Sequence, residues 1–139
     1  MSNSNIQAVE VGAELPALTT EPITRTTLAL FAGASGDHNP IHIDIDVARA
    51  AGMEDVFAQG MLSMAYLGRM LTDWMPQGQL RSFSNRFTAI TWLGDQITCS
   101  GKVVEILNAD GETCARLDIQ AVNQNGEVKL AGEALVALT

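Results

Sequence analysis

Beyond Leu80 the chain settles into short runs in which apolar and polar positions alternate, whereas upstream of it the apolar residues recur every three or four positions. The segments Leu80 to Trp92, Gln96 to Leu107, Thr113 to Asn123 and Val128 to Leu138 read as strands. In the last, Val128, Leu130, Ala134, Val136 and Leu138 share one face, with Lys129 and Glu133 on the other. Asp110-Gly111 and Asn125-Gly126 separate consecutive runs and are hairpin signals, so the C-terminal half is predicted to be an antiparallel meander.

The helical period governs the first half. Thr24 suits an N-cap for a helix through Ala34, with Leu28 and Phe31 three apart on one face. Asp44 or Asp46 can cap a short helix, Val47 to Ala51, which Gly52 would end. From Met61 to Trp74 the apolar residues surround most of the circumference, which predicts a buried helix stopped by Pro76 and Gly78. Ala8 to Leu15 suits an early strand or an extended arm ending at Pro16. One long apolar helix and a meander predict an α+β domain in which the sheet wraps the helix.

At 139 residues, 47% of them hydrophobic and 17% charged, the chain can bury one core without metal or disulfide staples. Only the polar Met1 to Gln7 is expected to fray, with order beginning near Ala8. A net charge of -8 with eight basic residues spread along the chain leaves no basic patch for nucleic acid or anionic lipid. A small phosphate-bearing ligand stays open, provided the fold gathers basic groups. Cys99 and Cys114 lack CxxC spacing, and no basic and apolar leader follows Met1; a reduced, cytoplasmic setting with both thiols as packing residues is expected. The stretch Met61 to Met75, broken by Arg69, Thr72 and Asp73, falls short of the ~20 residues of a membrane span.

The densest chemistry lies between the first two helices, where Asp37, Asn39 and His42 share one turn punctuated by Gly36 and Pro40. A carboxylate and an imidazole at this spacing can hold one water molecule, and acid–base work on that water follows. Asn39 is expected to orient the loop or the water. His38 should face solvent, and His38, His42 and Asp44 on a proline-containing loop lack the geometry of a metal site, so no metal is expected. Ser35 lacks a nucleophile elbow and reads as a turn residue. The backbone N–H of Gly60, at the start of the buried helix, is suited to stabilising a developing negative charge.

The pattern Ser35-Gly-Asp-His-Asn-Pro-Ile-His42, followed by Ala48, Gly52 and Gln59-Gly-Met-Leu62, closely resembles the MaoC-like (R)-specific enoyl-CoA hydratase family. The similarity runs from Val11-Gly-Ala-Glu-Leu-Pro16 through Arg86-Phe-Thr-Ala89 and Gly94-Asp95 to Gly132-Glu-Ala134, and the Arg86 segment also looks like the catalytic subunit of mycobacterial hydroxyacyl-carrier-protein dehydratases. The resemblance implies a hot dog fold, paired with a second copy or a related hot dog subunit, and an acyl tunnel beside the interface. It implies (3R)-specific hydration of trans-2-enoyl thioesters, or the reverse dehydration, with Asp37 and His42 around one water, Asn39 in support and Gly60 at the enolate oxygen. Coenzyme A or acyl carrier protein would come as part of the substrate, with no other cofactor. Ser35, Gln59, Met61, Arg86 and Trp92 are the substrate-binding candidates, although Arg81 and Arg86 read first as solvated strand charges. Gln59 departs from the family's usual histidine, and Trp92 stands where small residues or proline are common, so its bulk could shorten the tunnel. A thioesterase of the same fold and a non-catalytic acyl-binding or stabilising subunit are the alternatives.

Overall fold

The computed structural model describes residues 9–138. Met1 to Ala8, where fraying and the onset of order were expected, lies outside them. The element order is β1 (Leu18–Thr19), α1 (Arg25–Ser35), a 3-10 turn (Pro40–His42), α2 (Ile45–Ala50), α3 (Gly60–Trp74), β2 (Leu80–Phe87), β3 (Thr98–Ala109), β4 (Glu112–Val122) and β5 (Val128–Ala137).

Local chemistry sets most of these boundaries. The Thr24 hydroxyl accepts the Thr27 N–H and the Thr27 hydroxyl accepts the Thr24 N–H, a reciprocal cap that starts α1. Gly36, at φ 80°, ends it in the left-handed conformation. Of the two aspartates that could cap α2, Asp44 does so by accepting the Asp46 N–H, and the helix therefore begins two residues earlier than its apolar pattern predicts. Between β3 and β4, Asp110 and Gly111 both take positive φ, as a two-residue hairpin demands. The β4–β5 turn is closed instead by Asn123, whose side-chain oxygen accepts the N–H groups of Asn125 and Glu127.

The five strands form one antiparallel sheet in the order β1-β3-β4-β5-β2. The meander is the β3-β4-β5 part; β2 pairs with β5 at the far edge. Helix α3 touches every strand, so the sheet curls around it in the hot dog arrangement. Leu62, Leu67, Met70 and Leu71 of α3 pack against Val103, Leu117, Ile119, Leu130 and Val136. At about 25 cal/mol per Å² of apolar surface removed from water, this contact is the main source of stability. Cys99, in the same core, and Cys114 are buried and unpaired, and burial pushes the Cys99 thiol up to about 12.

The architecture departs from its sequence pattern in three places. The strand expected over Leu80 to Trp92 stops at Phe87, because Thr88 turns to β5, donating its N–H to the Lys129 carbonyl and its hydroxyl to that of Val128. Lys129 does not face solvent: it is fully buried beneath the segment that follows. Helix α3 is not enclosed on all sides, since Met61 is 53% exposed on a flank that borders a cavity. The early arm, after a turn at Val11–Gly12, runs along β3: the Gly12, Val103 and Leu15 N–H groups donate to the carbonyls of Val103, Ala13 and Gly101, around a bridge between Glu14 and Lys102.

Candidate active site

The turn between α1 and α2 is built from side chains that cap their own backbone. The Ser35 hydroxyl accepts the Asp37 N–H at 3.1 Å, Asp37 Oδ1 accepts the Asn39 N–H at 3.2 Å, and Asn39 Oδ1 accepts the Ile41 N–H at 3.1 Å. Each link spans two residues, the spacing at which short polar side chains compete best with regular structure. Pro40 then opens the 3-10 turn, which ends at His42.

His42 is 8% exposed, and its orientation is fixed from the far side of the site. Its Nδ1 donates to the Phe57 carbonyl at 2.7 Å, and its ring lies edge-on to that of Phe57 with centroids 5.0 Å apart. Nδ1 therefore carries the proton in the neutral ring, and Nε2 presents a lone pair. Nε2 lies 3.9 Å from Asp37 Oδ2, whose side chain is 40% exposed. That separation is too long for a direct hydrogen bond, yet both atoms can reach one small molecule placed between them.

One cavity reaches this pair through Asp37, and a second opens at the start of α3. The first, of about 380 Å³, is lined by Ser35, Asp37, Met61, Met64, Gly68 and Phe83, and apart from Ser35 and Asp37 its walls are apolar. The other, of about 350 Å³, has Gly60, Phe87, Thr88, Ile90 and Thr91 on its walls. Gly60 is the first residue of α3, where amides lack a partner within the helix, and a Cβ there would meet the Phe87 ring at 3.0 Å. A further cavity of about 380 Å³, between Glu14–Ala17 and β3–β4, holds none of the site residues.

Ser35, Asp37 and Met61 thus share one cavity with His42 beside Asp37, Gly60 lines the other, and Asn39 holds the turn that carries Asp37 and His42. His38 is exposed, as expected of it. Three substrate-binding candidates fall elsewhere. Gln59 is 1% exposed and lines neither cavity; its Nε2 donates to the Leu28 carbonyl of α1 at 3.1 Å. Arg86 is exposed on β2 and borders neither cavity. Trp92 is not on the wall of either cavity; its ring packs on Phe57, which is, with centroids 6.0 Å apart. The sequence offered no signal for Phe57, which acts through its backbone oxygen. Phe83 and Gly68 could have been placed by noting which apolar positions of β2 and α3 face each other.

A relative named (R)-specific enoyl-CoA hydratase, from Aeromonas caviae, is 28% identical over 95% of this chain and 97% of its own. The solved (R)-hydratase of that species superposes with a TM-score of 0.81 at 27% identity, covering 96% of this chain and 99% of the other. An unliganded R-hydratase of Pseudomonas aeruginosa gives 0.82 at 31% identity, over 95% of this chain and 84% of its own. A 3-hydroxyacyl-[acyl-carrier-protein] dehydratase of Solanum lycopersicum is 28% identical over 73% of this chain, which spans 62% of that longer protein. The "MaoC like domain" family matches residues 7–124. With the turn, the helix and the curled sheet all in place, the chain belongs to the MaoC-like family of hot dog proteins.

Proposed function

We propose that the protein is a hydro-lyase that adds water across trans-2-enoyl thioesters to give (3R)-hydroxyacyl thioesters, and runs the reverse dehydration. The observation that carries this reading is the 3.9 Å gap between His42 Nε2 and Asp37 Oδ2, with a lone pair on one side and a carboxylate on the other. A water in the gap donates one hydrogen to each. As its oxygen bonds to C3 of the enoyl chain, His42 Nε2 takes one proton and the π electrons move onto the thioester oxygen. The Gly60 N–H stabilises the resulting enolate. The imidazolium then returns its proton to C2, so that one water has been added and the histidine is restored. Asp37 holds the water and stabilises the transient imidazolium, and Asn39 keeps Asp37 in place through the turn.

The apolar cavity beside Asp37 is of the size that small-molecule sites use, and the acyl tail occupies it. The cavity at Gly60 takes the thioester end and the start of the pantetheine arm, supplied by coenzyme A or acyl carrier protein; the reaction calls for no other cofactor. The edge position of β2 suits extension of the sheet by a second copy or a related subunit. Two unpaired buried thiols fit a reducing compartment such as the cytoplasm.

The test is hydration of crotonyl-CoA, followed as loss of the conjugated-enoyl absorbance, with the product's configuration determined. Asp37→Asn and His42→Ala should each lower kcat by at least ~10²-fold, the scale of a lost acid–base group. An unchanged rate in either variant removes that residue from the mechanism, and release of free thiol would mark a thioesterase instead.

A further inference from the structure

We propose that the buried pair Lys129 and Asp95 is a positioning device for His42, acting through the segment Thr88 to Asp95. The proposal rests on the reading of His42 as the reacting base. Lys129 is 0% exposed at the start of β5, and its Nζ has three polar partners. It donates to the Ile90 carbonyl at 2.7 Å, lies 3.3 Å from Asp95 Oδ2 and bonds Glu127. Asp95, itself 7% exposed, accepts the Trp92 N–H at 2.9 Å and the Asn123 side-chain N–H at 3.4 Å. Together these contacts fasten both ends of the Ile90 to Asp95 bend to the β4–β5 hairpin.

The bend holds the segment before α3 in turn. Trp92 forms a backbone bridge with Phe57, and the Thr91 carbonyl accepts the Ala58 N–H at 2.9 Å. The Phe57 ring stands between those of Trp92 and His42, and its carbonyl holds His42 Nδ1. A continuous set of contacts therefore runs from Lys129 to the atom that decides which imidazole nitrogen is free to take a proton. Gly60, three residues past Phe57, is carried by the same segment.

Energetics separate this role from simple stabilisation. Taking an ammonium and a carboxylate out of water costs several kcal/mol per ion, and an apolar pair of equal volume is often as stable. What apolar side chains cannot do is fasten a carbonyl and an amide from two points of one bend in a single register. Removing the pair should therefore disturb the geometry of His42 beyond any effect on folding.

The experiment uses the full chain, with Lys129→Met and the nearly isosteric Asp95→Asn. The latter keeps an oxygen for Trp92 and serves if the former does not fold. The nitrogen-15 spectrum of the histidine ring should show a single Nδ1–H form for His42 in the parent protein and a mixture of both ring forms in the variants. In crotonyl-CoA hydration kcat should fall by ~10-fold or more while KM stays within ~3-fold, as expected when a reacting group is misplaced and ground-state binding is kept. A folded variant whose His42 spectrum matches the parent's overturns the proposal, whatever its rate. If the parent protein turns over no enoyl thioester, the proposed function fails, and the ring spectrum alone still decides this one.

Discussion

Two loops meet at His42, and they are held in opposite ways. The Ser35–His42 turn is fastened by its own neighbours, through three hydrogen bonds that each span two residues. The Thr88–Asp95 bend has local bonds between Trp92 and Asp95, and is otherwise fastened by distant residues: Asn123 on Asp95, Lys129 on Ile90, Val128 on Thr88, and Ile23 on Gly94 and Asp95. A loop held locally can be read from its sequence and survives changes elsewhere in the fold. A loop held remotely depends on the register of distant strands, and a fault in that register reaches the site.

The sharpest way to break the second loop without touching it is Gly132→Ala. Gly132 pairs with Asn85 in the β2–β5 ladder, and a Cβ there would lie 1.9 Å from the Ser84 carbonyl oxygen and 2.7 Å from the Asn85 Cα. Backbone atoms cannot swing aside as a side-chain tip can, so β2 must separate from β5 locally. A stability loss of about 3 kcal/mol or more is expected from this overpacking, measured by urea unfolding. A variant as stable as the parent would mean that the β2 edge is loose enough to shift, and that the bend beyond Phe87 does not rely on it.

The contrast also explains what could be read from the chain alone. The Asp37–His42 turn, the caps at Thr24 and Asp44, the Asp110-Gly111 hairpin and the central helix all follow from residues within a few positions of one another. Lys129 did not follow, because alternation along β5 assigns a lysine to the solvent face. Only the bend laid over it, with Asp95 and the Ile90 carbonyl, makes the burial of its ammonium tolerable. The packing of Trp92 could not be read for the same reason, since its partner Phe57 lies 35 positions earlier and nothing in either segment announces the other. Gln59 was legible only as a substrate-binding candidate just before the helix, while its bond to α1 depends on how two helices dock.

Gln59 supplies a test between these extremes, because it joins the locally held turn to the remotely held segment. Its amide ties the residue before Gly60 to the Leu28 carbonyl, on the helix that ends at Ser35. Gln59→Leu keeps the bulk and removes the donor, while the Leu28 carbonyl keeps its bond within α1. A cost of about 1.5 kcal/mol in urea unfolding is expected, the upper end of one net hydrogen bond. A loss below ~0.5 kcal/mol would show that the two helices are registered by packing alone.

The smallest effect is expected at Asn39, within the locally held turn. Its side-chain oxygen caps the 3-10 turn that ends at His42, while the residue itself is exposed. Asn39→Ala removes that cap at a cost of ~1 kcal/mol, about 3 °C in Tm for a chain of this size. Asn39→Asp keeps an oxygen at the same place and should recover both stability and crotonyl-CoA hydration. That recovery separates a cap from a direct contact with water or substrate, because a contact made through the amide nitrogen is lost in aspartate as well as in alanine. Should aspartate restore the melting temperature but leave the rate depressed, Asn39 would act on the reactants through its nitrogen in addition to capping the turn through its oxygen.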